Sequence, residues 1–186
     1  MADLAVTGKI VITGKGNIEG KKTVKFTIGR ASLEDAKVGK VKNQTYTGNW
    51  IRPTPKVKLN GKTLKKGRDY TFSYWHNKDT GTASLKVKGK GNYRGAKVIE
   101  FTIDQRSIDD GEEISTIKPQ VYTGGYLTPD PKIKVNGRTL TKDTDYTLRY
   151  ENNREIGTAK IYITGKGNYK GVIVATFQIV QSKSAK

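Results

Sequence analysis

One short phrase recurs three times in this chain of 186 residues. It reads Gly-Lys-Gly-Asn at Gly14–Asn17, Gly89–Asn92 and Gly165–Asn168, and each copy leads to Phe-x-Ile, at Phe26, Phe101 and Phe177. The spacings are 75 and 76 residues, too long for a solenoid turn and suited to a small domain. Residues 46–103 align with 122–179 without a gap, with 29 identities in 58 positions. The looser match upstream sets Ser32-Leu33-Glu34-Asp35 against Ser107-Ile108-Asp109-Asp110. This defines two complete units, 29–103 and 104–180, with a boundary near Ile103–Arg106. A partial unit, 1–28, corresponds to the C-terminal hairpin of a preceding repeat, and 181–186 is a tail. Strings of near-identical domains serve reach, spacing or multivalent contact, whereas catalysis needs one site.

Apolar residues alternate with period two in Val57–Leu59, Tyr70–Tyr74, Ala83–Val87 and Val98–Ile103, the pattern of half-buried strands. Asn60-Gly61 and Asn136-Gly137 are type I′ hairpin signals, because both central residues of that turn take positive φ. The glycines of Gly-Lys-Gly-Asn-Tyr read as hairpin punctuation. The segment has neither the Gly-Lys-Ser/Thr ending nor the following helix of a phosphate loop. Only Ser32–Ala36 suggests a helical turn. The expected fold is all-β, with tandem small antiparallel sandwiches of six or seven strands, immunoglobulin-like and without significant helix. Two strands alone are marginal in water, so Val6–Ile28 is expected to be a hairpin packed on other protein.

The order Tyr-Thr-Gly, Pro-x-Pro, Asn-Gly-x-Thr-Leu, Asp-Tyr-Thr, Gly-Thr-Ala, Gly-Lys-Gly-Asn-Tyr, Phe-x-Ile resembles the tandem bacterial immunoglobulin-like repeats of large Gram-positive surface proteins, particularly those of gut clostridia. The resemblance covers nearly the whole chain. It implies export and cell-wall attachment through regions not in this chain, and an adhesin-type role towards a host immunoglobulin or mucosal glycoprotein. Such repeats also serve as passive stalks. No apolar run reaches the ~20 residues of a membrane helix.

The net charge of +18 is unevenly spread. Unit 29–103 carries 17 basic and 5 acidic residues, and unit 104–180 carries 11 and 10. That difference singles out the middle unit for an anionic partner, such as teichoic acid, an acidic glycan or an acidic host protein. The plainer reading is a solvated face, since Lys56, Lys58, Lys86 and Lys88 alternate with apolar residues and lysine protects sheet edges. Lysine outnumbers arginine and no nucleic-acid motif is present, which argues against nucleic acid.

With no cysteine and one histidine, His76, the chain offers no zinc site and no nucleophile-base pair. Asp69 and Asp145 recur at one site in both units and read as turn formers. An enzyme, a metal and a cofactor are therefore not expected, and the chain is read as a monomer. The contact candidates are aromatic and basic. Trp50 and Tyr126 share the position after Tyr-Thr-Gly, where they either face solvent or pack between neighbouring units or over the sandwich edge. Trp75 and His76 stand where the second unit has Glu151 and Asn152. With Arg52, Lys78 and Arg94 these residues form the candidate binding set, because Trp, Tyr and Arg dominate binding centres.

Overall fold

The computed structural model describes residues 6–182; residues 1–5 of the partial repeat and 183–186 of the tail lie outside them. The described chain is all-β, with no helix. A long hairpin comes first, β1 (Val6–Thr13) and β2 (Lys21–Ile28). The first complete repeat contributes β3 (Ala31–Ser32), β4 (Lys37–Val38), β5 (Gln44–Thr45), β6 (Val57–Leu59), β7 (Lys62–Thr63), β8 (Tyr70–Trp75), β9 (Gly81–Gly89), β10 (Tyr93–Arg94) and β11 (Ala96–Asp104). The second contributes the same nine in the same order. They are β12 (Arg106–Ser107), β13 (Glu112–Ile114), β14 (Gln120–Val121), β15 (Ile133–Val135), β16 (Arg138–Thr139), β17 (Tyr146–Glu151), β18 (Gly157–Gly165), β19 (Tyr169–Lys170) and β20 (Val172–Val180).

The sheets repeat as faithfully as the sequence. The first repeat has a four-stranded sheet in the order β5-β11-β9-β8 and a three-stranded one in the order β4-β6-β7. The second has β14-β20-β18-β17 and β13-β15-β16. The long strands are antiparallel, as period-two patterning and tight turns require. Four two-residue pairs are parallel, β3 with β10, β5 with β11, β12 with β19 and β14 with β20. These short pairs raise the strand count above the six or seven read from periodicity. A two-residue strand has no period to detect.

Local chemistry fixes the turns. Asn60 and Gly61 have φ of 48° and 79°, and Asn136 and Gly137 have 49° and 73°, the doubly left-handed turn that Asn-Gly favours. At the Gly-Lys-Gly-Asn turns the first glycine is needed for closeness. A Cβ on Gly89 would lie 2.8 Å from the Tyr93 backbone, and one on Gly165 2.8 Å from that of Lys170. Ser32–Ala36 forms a turn closed by Ala36 N donating to Leu33 O, with no helix.

Compact packing divides the chain differently from the repeat boundaries. One unit comprises Met1–Lys42, Arg52–Asn77 and Thr82–Phe101, the other Asn43–Ile51, Lys78–Gly81 and Thr102–Lys186. In the first, Leu33, Val57, Leu59, Leu64, Tyr70 and Val87 form a core shared by the facing sheets, with Phe72 and Tyr93 against it. In the second, Ile108, Ile133, Val135, Ile161, Ile163 and Ile179 are fully buried.

The N-terminal hairpin forms as expected, and among the described residues nothing packs on its apolar face. Every residue of β1 and β2 except Gly8 is exposed. Ile12 is 56% exposed where its counterpart Val87 is 0%, and Phe26 is 43% exposed where Phe101 is 4%. In the first complete repeat Val87 lies in one cluster with Val57 and Leu59 of the three-stranded sheet, and no described residue covers Ile12 in that way.

Candidate functional site

The Tyr-Thr-Gly loop is built alike in both repeats. Thr47 Oγ1 accepts from Asn49 N, Thr123 Oγ1 accepts from Gly125 N, and Gly48 and Gly124 hold φ of 77° and 74°. This small turn throws the following aromatic outwards. Trp50 is 59% exposed and Tyr126 75%. Each carries a cation. Lys78 Nζ lies 5.9 Å from the Trp50 ring centroid, and Arg154 Cζ lies 5.8 Å from that of Tyr126. Lys78 and Arg154 are counterparts at the repeat offset, so the pairing is a feature of the repeat. Exposed pairs of this kind are worth about 0.5–1 kcal/mol.

A left-handed residue positions the cation. His76 and Asn152 occupy the same turn with φ of 51° and 54°, a conformation that Asn and His tolerate better than most residues. His76 is exposed and serves that turn. In the second repeat the buried Asn153 then donates from Nδ2 to Leu127 O while its own carbonyl accepts from Leu127 N. Arg154 Nε donates to Gly124 O, which ties the cation to the aromatic loop. Asn77 and Asn153 recur at the repeat offset, three residues after Tyr74 and Tyr150, so this position is marked in the sequence as well.

The other candidates fall into separate surroundings. Trp75 is exposed at the end of β8, opposite Ser84. Arg52 is exposed beside Tyr74, whose hydroxyl donates to Pro53 O. Burial pushes the Tyr74 phenol above its usual range, and the Arg52 charge opposes that shift. Arg94 is exposed, and its Nε donates to Arg30 O. Thus Trp50 and Lys78 meet, whereas Arg94 belongs to a second cluster.

That cluster is an open depression of about 460 Å³ in the first compact unit, lined by Arg30, Lys86, Lys88, Lys90 and Arg94 with glycine and alanine between them. No carboxylate lines it. Lys90 Nζ is held by Gly67 O. Lys86 and Lys88, read as wet-face lysines, flank the Gly-Lys-Gly-Asn turn from β9 and make no ion pair among the described residues. At the corresponding positions the second repeat has Gln105, Tyr162, Thr164, Lys166 and Lys170. There Arg149 packs 3.9 Å from the Tyr162 ring centroid, and Glu151 accepts from both Arg149 and Tyr162. Those two donors hold the Glu151 carboxyl below its ordinary range. The charge asymmetry of the sequence therefore includes a local one, five basic side chains around the depression against two, Lys166 and Lys170, at the corresponding positions.

Among the described residues no group of His, Asp and Glu could hold a metal ion. Asp69 and Asp145 do turn work. Each carboxylate accepts a backbone N–H four residues earlier, from Lys65 and Thr141. No protein-family model, curated protein or solved structure matches the chain.

Proposed function

We propose that this chain is a non-enzymatic binding module of a bacterial surface protein, and that its partner is an anionic macromolecule. The observation that carries the reading is the depression ringed by Arg30, Lys86, Lys88, Lys90 and Arg94, of whose five cations the other repeat keeps only the counterparts of Lys90 and Arg94. Five cations around an open concavity raise the local concentration of a polyanion and speed its encounter. The open shape suits a polymer or a protein surface better than a small ligand, which needs enclosure. Trp50 with Lys78 and Tyr126 with Arg154 add exposed aromatic anchors at a fixed repeat position, a basis for multivalent contact. Acidic cell-wall polymer, acidic glycan and an acidic face of a host immunoglobulin or mucosal glycoprotein share the required chemistry. The surface-repeat resemblance supplies the setting.

The test uses the intact chain on immobilised teichoic acid and on mucin, compared with the charge reversals Lys86→Glu, Lys88→Glu and Arg94→Glu combined. Retention is expected to fall steeply with added salt, because the Debye length shortens to about 3 Å at 1 M, and to be lost on reversal. Unchanged retention after reversal would transfer the assignment to a passive spacer.

A further inference from the structure

The first compact unit bears three unsatisfied features that one missing piece of protein would fill. The first is the apolar face of the N-terminal hairpin. Ile10, Ile12, Phe26 and Ile28 are exposed, while their counterparts Leu85, Val87, Phe101 and Ile103 are buried. The second is a strand edge. β11 and β20 each take a short parallel partner at their C-terminal end, at Ile103–Asp104 and Ile179–Val180. The matching end of β2, Ile28-Gly29, has none, for β1 and β2 form a two-stranded sheet.

The third feature is a depression of about 800 Å³ lined by Val6, Ile28, Arg30, Gly91, Asn92 and Tyr93 among others. Its counterpart at Gly167-Asn168-Tyr169 lies in the second compact unit and is filled. There the Tyr46 ring packs on Tyr169 at 5.5 Å, Thr80 N donates to Asn168 Oδ1, and Asn168 Nδ2 donates to Asp79 Oδ1. The backbone frame of the two depressions is the same. Ala31 N donates to Asn92 O as Arg106 N donates to Asn168 O, and Leu33 N to Arg94 O as Ile108 N to Lys170 O. Tyr93 has no aromatic neighbour and Asn92 no side-chain partner among the described residues.

We propose that the hairpin face and the Tyr93 depression together are the docking surface for one further repeat segment of the β3–β8 type, joined directly ahead of β1. Such a segment supplies all three missing parts at once. Its three-stranded sheet covers Ile10, Ile12 and Phe26, its counterpart of β5 adds to the end of β2, and its Tyr-Thr-Gly loop seats a tyrosine on Tyr93. Lys62 occupies the sequence position at which Arg138 lies 5.9 Å from the Tyr46 ring centroid, so a cation recurs at that position. Only the Arg106 bond to Tyr46 O lacks a counterpart, since Ala31 occupies that position. Direct linkage is favoured because the β8–β9 and β17–β18 connections are short, so a tethered segment docks without the entropy cost of association.

The test joins a copy of residues 29–80 to Val6 of the otherwise intact chain and follows amide hydrogen exchange. Protection of the Ile10, Ile12, Phe26 and Ile28 amides is expected to rise by roughly a hundredfold or more, from local fraying towards the stability of a packed unit. Replacing the tyrosine of the added copy that corresponds to Tyr46 by Ala should lower protection around Asn92 and Tyr93 while leaving the hairpin covered. Hairpin amides exchanging as fast as in the parent chain would overturn the proposal. So would equal protection by an added segment of the same composition in scrambled order.

Discussion

Tyr46 and Tyr169 meet edge to face, with ring centroids 5.5 Å apart and an interplanar angle of 83°, and each is 2% exposed. Sequence places them in different repeats, yet both belong to the second compact unit. Arg106 Nε donates to Tyr46 O and Tyr46 N donates to Asp104 O, so backbone and ring are both held. Burial raises the Tyr169 phenol above its usual range. Tyr122, the counterpart of Tyr46, makes the same backbone bond to Val180 O but is 39% exposed.

This contrast predicts unequal costs for identical substitutions. Tyr46→Ala should destabilise the second unit by about 3–5 kcal/mol, the range for removing a buried aromatic. Tyr122→Ala should stay within about 0.5–1 kcal/mol. Urea unfolding of both variants decides the matter, and equal midpoints would contradict the packing.

Asp69 gives a pH signature. The Arg68 guanidinium, bonded at 2.8 Å, and the Lys65 N–H hold its carboxyl down to about 2. A folded value below the unfolded one, about 3.9, means that the ionised form stabilises the fold. That contribution is fully present above about pH 4 and fades as pH falls towards 2. Asp69→Asn should therefore lower the unfolding midpoint at pH 6, and the gap from wild type should narrow between pH 4 and pH 2. A gap independent of pH would assign the loss to geometry alone.

Gly61 tests the turn. Its φ is 79°, and a Cβ there would meet nothing within 4 Å, so any cost of Gly61→Ala comes from backbone conformation. The left-handed penalty for an L residue is about 1–2 kcal/mol. Gly137→Ala, at 73° and equally open, should cost the same in thermal unfolding.

Phe26 and Phe101 end the same motif in different surroundings. Phe101→Ala should cost about 3–5 kcal/mol, as for other buried aromatics, and Phe26→Ala should leave global stability nearly unchanged. Calorimetry on the two variants separates them. A large loss at Phe26 would show that the hairpin contributes to a core.

Period-two alternation, Asn-Gly turns and the threefold Gly-Lys-Gly-Asn phrase determined the all-β class, the hairpins and the repetition of one design, because each depends on local backbone and face preferences. The recurring aromatic after Tyr-Thr-Gly was legible too, but not whether it faces solvent. Its cation was not, for Lys78 lies 28 residues from Trp50 and only the closed loop brings them together. Tertiary structure also decided which lysines come together. Lys86 and Lys88 alternate with buried Leu85 and Val87 like any wet strand face, and only the fold sets Arg30 and Arg94 beside them. It decided as well that Tyr46 is buried and Tyr122 exposed, since the same residue in the same loop is covered only when distant chain is present to pack on it.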